Sequence, residues 1–206
     1  MKKSKVILTI ISLVLVVAMS VAGTLAYLKV SSGPVTNTFS PSNIGLTLDE
    51  TTNTYKMIPG VEMKKDPKVT VSGDVDAHVF VEVVETGSVT VAGTEYTLDD
   101  FLTYAIADGW TVHSGVVDTN DSTNGNETVV LYREVKADAA TKTFYVLKAG
   151  TKAENANGAV TTNATVTKAM MDACTANTFK LTFTAYAVQA DGLSVADAWT
   201  EAKAQA

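Results

Sequence analysis

The side chains able to do metal or nucleophile chemistry are few: two histidines, His78 and His113, and one cysteine, Cys174. A zinc peptidase of the common kind needs two histidines one helical turn apart, with a glutamate beside the first to activate the metal-bound water. Here 34 residues separate the histidines, and no glutamate adjoins either. His78 and Glu82 share one face of an alternating run over residues 78–85, beside Phe80, and read as a solvated polar pair. His113, next to Ser114-Gly115, reads as a rim histidine. Cys174 follows Met170-Met171-Asp172-Ala173 on a helical pattern, where a lone cysteine packs as a small hydrophobe. Asp118, Asn120, Asp121 and Asn126 offer oxygens for calcium, but Thr123 stands where the calcium loop needs glycine, so the segment reads as an exposed hairpin loop. No nucleophile elbow, phosphate loop or dinucleotide fingerprint occurs. No catalytic, cofactor-binding or metal residue is therefore assigned, and no cofactor is expected.

The elements that would position such residues begin with a leader. Lys2, Lys3 and Lys5 precede an apolar stretch over residues 6–19, broken only by Thr9 and Ser12. Small residues follow at Ser20, Ala22, Gly23 and Ala26, the layout of a secretory signal peptide. Cleavage fits after Ala22 or after Ala26. The competing reading is an uncleaved anchor, since residues 6–28 could just cross a hydrocarbon core of about 30 Å. Either way the leader is the chain's one expected route to a membrane.

Removing residues 1–26 takes away three lysines and no acids, so the net charge deepens from −6 to 13 − 22 = −9. Such a chain lacks the basic face that binding nucleic-acid phosphates requires. Of the remaining 180 residues, 28 are Thr and 23 are Val, β-branched types suited to a pleated, half-buried surface. Residues 27–206 read as one domain of seven or eight strands, with period-2 runs over 44–48, 69–71, 78–85, 110–117, 128–135, 143–147 and 178–189. Short helices are expected over 101–107, capped by Asp99 or Asp100, over 166–173, and over 195–204, capped by Ser194. Strands without repeated β-α alternation predict a mainly-β, antiparallel sandwich with short helical insertions and a C-terminal helix. Trp110 and Trp199 are expected to pack in the core or at a helix interface; exposed at the surface, Trp110, Tyr104 or Tyr186 would suit a polysaccharide.

Particular residues also carry a resemblance. Gly23-Thr-Leu-Ala-Tyr-Leu28, Val35-Thr-Asn-Thr-Phe39, Ile44-Gly-Leu-Thr-Leu-Asp-Glu50 and Tyr55-Lys-Met-Ile-Pro-Gly60 look like the opening of the TasA/camelysin family of Gram-positive exported proteins. Lys65-Asp-Pro-Lys-Val-Thr-Val71, His78-Val-Phe-Val-Glu-Val83, Leu131-Tyr-Arg-Glu134, Val166-Thr-Lys-Ala-Met-Met171 and Leu181-Thr-Phe-Thr-Ala-Tyr-Ala-Val-Gln-Ala-Asp-Gly192 continue it across most of the chain. The resemblance implies a jelly-roll-like sandwich and a leader cut between Ala26 and Tyr27 by a dedicated signal peptidase of the SipW type. It further implies a secreted protein of the cell surface or biofilm matrix whose relatives assemble into fibres. The camelysin branch is described as a surface metallopeptidase, an alternative for which this chain offers no matching zinc motif.

Assembly has a physical route. An antiparallel sandwich leaves edge strands able to accept an extended segment through main-chain hydrogen bonds. Residues 27–39, freed at one end by the cut, could serve as a donor strand for a neighbouring copy or fold as the first strand of their own sandwich.

Overall fold

The structure, a computed structural model, describes residues 2–27, 43–113 and 127–204. The chain divides into two units, Met1–Ser40 and Pro41–Ala206. The first carries α1 (Lys2–Tyr27). The hydroxyls at Thr9 and Ser12 donate to Lys5 O and Thr9 O, both at 2.9 Å, so neither polar residue interrupts the helix. Its described apolar side chains run from Val6 to Met19 and are exposed, and among the described residues no helix is long and apolar enough to cross a membrane. Ala26 and Tyr27 are its last two residues. The proposed donor segment, beyond Tyr27, lies outside the described residues, as do the calcium-like loop and half of the strand expected over 110–117.

In chain order the second unit carries β1 (Ile44–Asp49), β2 (Glu62–Lys64), β3 (Lys68–Gly73), β4 (Ala77–Thr86), β5 (Ser88–Val91), β6 (Thr94–Thr97), α2 (Leu98–Phe101), β7 (Leu102–Tyr104), β8 (Thr111–Val112), β9 (Glu127–Val135), β10 (Thr143–Tyr145), β11 (Ala159–Thr162), α3 (Lys168–Ala173), β12 (Lys180–Gln189) and α4 (Val195–Ala204). All ladders are antiparallel, in sheets ordered β1-β3-β10, β2-β11-β7, β12-β4-β9-β8 and β5-β6. None closes into a barrel. The unit is thus mainly β and antiparallel, as expected, with twelve described strands rather than seven or eight.

Period-2 alternation explains the main core. Val79, Val81 and Val83 of β4 turn to one side and meet Val69 and Val71 of β3, with Leu131 and Val135 of β9 beside them. These side chains are almost wholly buried. The opposite face of β4 places Phe80 under α4, against Ala198, Ala202 and Trp199. A third cluster, Val89, Phe101, Val166 and Met170, holds the β5–β6 hairpin and α3.

The helix expected over 101–107 is corrected. The helical turn is Leu98–Phe101, capped by Thr97, whose backbone N–H donates to the Asp100 carboxylate at 2.9 Å. The chain then extends as β7 because β11 offers a ladder there. Asp99 and Asp100 are acids of the first turn, not caps. The other helices form nearly as expected. Thr167 caps α3, and Ser194 Oγ accepts from the Asp197 N–H at 3.2 Å.

Candidate functional site

The second unit brings polar side chains together at four places. The first surrounds Phe80. Because alternation puts His78, Phe80 and Glu82 on the face beneath α4, His78 is 7% exposed and its Nδ1 is buried without a partner. His78 is therefore not the solvated residue expected from sequence; it is buried, its ring 6.5 Å from that of Phe80. Glu82 is paired instead, with Lys203 Nζ at 3.1 Å and the Tyr186 hydroxyl at 3.2 Å. His113 contributes to the same aromatic cluster, its ring 6.2 Å from Phe80, 6.0 Å from Tyr132 and 6.4 Å from Trp199. Both histidines thus border Phe80, and packing, not metal spacing, explains them. Both tryptophans pack: Trp199 on Phe80 and Tyr186, and Trp110 with its Nε1–H donating to Tyr145 O at 2.9 Å. Cys174 closes α3, its Sγ donating to Met170 O at 3.2 Å.

The second is a clasp around Lys65. Its Nζ lies 2.8 Å from Glu50 Oε1 and stands 4.8 Å and 5.1 Å from the ring centres of Tyr55 and Phe183. The Tyr55 hydroxyl donates to the same Glu50 oxygen at 2.7 Å, and burial with that carboxylate pushes the phenol well above its usual range. Asp66 next door accepts from the N–H and hydroxyl of Thr51. Burial works to raise its carboxyl, but those bonds and Lys64 outweigh it and hold it below the usual range. The clasp borders a cleft of about 420 Å³, also lined by Met57, Met63, Leu98, Leu102 and residues Lys180, Leu181 and Thr182 of β12.

Third, Glu62 cradles the loop before β11. Its carboxylate accepts from Asn155 Nδ2 at 2.6 Å, the N–H groups of Thr151 and Lys152, and the Thr151 hydroxyl. The Asn155 bond leads the causes that hold Glu62 down at about 2.

The fourth is the one group of described residues whose donor atoms could gather around a cation: Glu85, Asp99 and Glu127, with ligand oxygens within 4.8 Å of one another. Glu85 is 6% exposed, accepts a bond from the Tyr104 hydroxyl, and is pushed up to about 7, chiefly by burial and then by its acidic neighbours. Neither histidine belongs to it, so it does not match a zinc-peptidase centre. The signal for it was present in the sequence: Glu85 continues the 79, 81, 83 series and so must follow those valines inward.

No family model, curated protein or solved structure matches the chain.

Proposed function

We propose that the chain is an exported structural protein of the cell surface or extracellular matrix, of TasA and camelysin type, that acts by self-association. In this reading the β unit is a jelly-roll-like sandwich and α1 a signal peptide cut between Ala26 and Tyr27 by a signal peptidase. The membrane is touched only through the uncleaved leader, and no nucleic acid or cofactor takes part. One observation carries the reading: among the described residues β12 has a single ladder partner, β4, and its first residues border the cleft beside Lys65. β1 packs close to β12 without a ladder, and a strand edge without a ladder partner is a template for an added segment, bonded through main-chain groups and selected by alternate side chains. Residues 27–39 of a second copy are the proposed addition. A contact of that kind is head-to-tail and propagates as a filament.

The net charge of −9 left by removal of the leader, 13 − 22, keeps subunits apart, so acid or salt promotes assembly. Light scattering of the mature protein between about pH 8 and about pH 4 tests this: rising scatter and fibres by electron microscopy are expected, and a flat response refutes it. A variant lacking residues 27–34 should lose the fibres. Casein hydrolysis abolished by a chelator would replace this reading with the peptidase one.

A further inference from the structure

We propose that Arg133 anchors an interface with a second copy of this chain: its guanidinium, held against Trp110 and Phe144 and bordered by the exposed Val112, takes an Asp or Glu carboxylate of that copy. The inference rests on the self-association reading above and names a side-chain contact for it. Arg133 is the only arginine in the chain. On β9 it continues the 129, 131 series, so alternation sends it to the same face as Leu131, and β4 opposes it with Val79, which brings no charge. Its guanidinium carbon lies 3.7 Å from the ring centre of Phe144 and 5.1 Å from that of Trp110. The indole is itself fixed by its bond to Tyr145 O. Gly109 gives the third contact: a Cβ there would lie 2.6 Å from Arg133 Nη2, so the glycine leaves the room that the guanidinium occupies.

What the guanidinium lacks is an acid. It makes no hydrogen bond or ion pair with any described residue. Glu134, next in sequence, alternates to the other face and pairs with Lys136, and Asp108, in the turn that carries Gly109, is exposed and forms no ion pair. Burial pulls the guanidinium below its usual range, and no carboxylate offsets that cost. Lys65 supplies the comparison: it too stands against two rings, but with Glu50 at 2.8 Å. Arg133 has the rings without the carboxylate, in a chain where acids outnumber cations 22 to 16. A guanidinium positioned in this way keeps a planar fork of N–H donors for a bidentate carboxylate. Val112, 60% exposed, shares its face by register, since Val112 opposes Leu131. Half-buried tryptophan and arginine beside an exposed apolar side chain have the composition of an interface centre. Every copy of the chain carries surplus acids, which makes a second copy the complementary partner. One such pair persists in mild acid because the guanidinium holds its carboxylate ionised while the surplus surface acids lose their charge.

Because the arginine is unique, phenylglyoxal, a dicarbonyl that condenses with guanidinium groups, reports on one site, read by peptide mass. On the mature protein at about pH 7.5, the rate at Arg133 should fall at least about fivefold as the protein is raised from about 1 μM to about 100 μM, in step with self-association by sedimentation velocity. Arg133→Gln should weaken self-association at least about tenfold, and Arg133→Lys, which keeps the charge but not the fork, should restore only part of it. If Arg133→Gln fails to fold, the wild-type reagent profile decides. A wild type that associates while Arg133 stays fully reactive, or an Arg133→Gln variant that associates as the wild type does, overturns the inference and leaves the functional reading standing. A wild type that stays monomeric overturns both. Reactivity that rises in Asp108→Asn and ignores protein concentration also overturns the inference, since Asp108 would then be the acid. So does slowing by polygalacturonate but not by added protein, which would make the site one for an acidic polysaccharide.

Discussion

Replacing Lys65 by methionine tests whether the ion pair with Glu50 holds the loop after β1. The Lys65 side chain is 9% exposed and that of Glu50 22%, so the 2.8 Å contact is largely dry. Removing one member of a buried pair costs about 3–5 kcal/mol, mostly from the charge left behind. Glu50 retains some water and the Tyr55 hydroxyl, which places Lys65→Met at the low end, about 3 kcal/mol. Glu50→Gln leaves the ammonium between the rings of Tyr55 and Phe183, and two cation–π contacts of about 0.5–1 kcal/mol each offset part of the loss, giving about 2 kcal/mol. The double variant leaves no orphaned charge and should also lose only about 2 kcal/mol, a coupling of about 3 kcal/mol. Urea unfolding followed by tryptophan fluorescence, with the slope checked for constancy, measures all three. An additive double variant, near 5 kcal/mol, would refute the pairing argument, and so would Lys65→Met within about 0.5 kcal/mol of the wild type.

Two further substitutions isolate local devices. Glu62→Gln should leave the global transition in place but expose the loop over residues 150–158 to proteolysis. In the wild type the same loop should loosen as the pH falls from about 4.5 toward about 2, because Glu62 is held down and its contribution exists only while it is ionised. Protease susceptibility that is unchanged in both experiments would refute the cradle. Gly87 has φ +107°, and a Cβ there would lie 1.8 Å from the Thr178 carbonyl oxygen; Gly93, at φ +87°, has nothing within 4 Å. Gly87→Ala should therefore lower the melting temperature by about 6–12 °C and Gly93→Ala by about 2–4 °C, as thermal unfolding by circular dichroism will show. Equal shifts would mean that the backbone angle alone, not the approach of Thr178, sets the cost.

How far the sequence discloses the fold depends on how long each element's pattern runs. β4 and β12 carry ten-residue alternations, and their inner and outer faces are legible before any coordinates. α4 announces itself through Ser194 and Asp197. The strands missed in sequence, β2, β5, β6, β7 and β11, have three or four residues each, too few for a period to register, and their ladders come from partners far along the chain. β11, for example, pairs with β2 about a hundred residues earlier and with β7 about sixty residues earlier. The region of α2 and β7 was misread for a related reason: the aspartates mark a helix start, but tertiary pairing ends the helix after one turn. Among the polar groups, the shared face of His78 and Glu82 was legible, whereas burial of His78 was not, because it depends on tertiary packing that local alternation does not encode. Lys65 and Glu50 meet only when β1 and β3 close on each other, and no local spacing foretells that.

The Lys65 clasp and the α2–β7 segment border one cleft. Tyr55 and Lys65 line one part of the cleft beside β12, and Leu98 and Leu102, which flank or follow Asp99, line another. The wall formed by the loop after β1 is held by the Lys65–Glu50 ion pair at 2.8 Å. The wall formed by α2 and β7 is held differently, by burial of Leu98 and Phe101 and by the ladder of β7 with β11. Lys180, Leu181 and Thr182 of β12 line the same cleft, between the two walls. In the proposed assembly an added segment along β12 enters this cleft between the two walls, and acid favours it by weakening the repulsion between subunits.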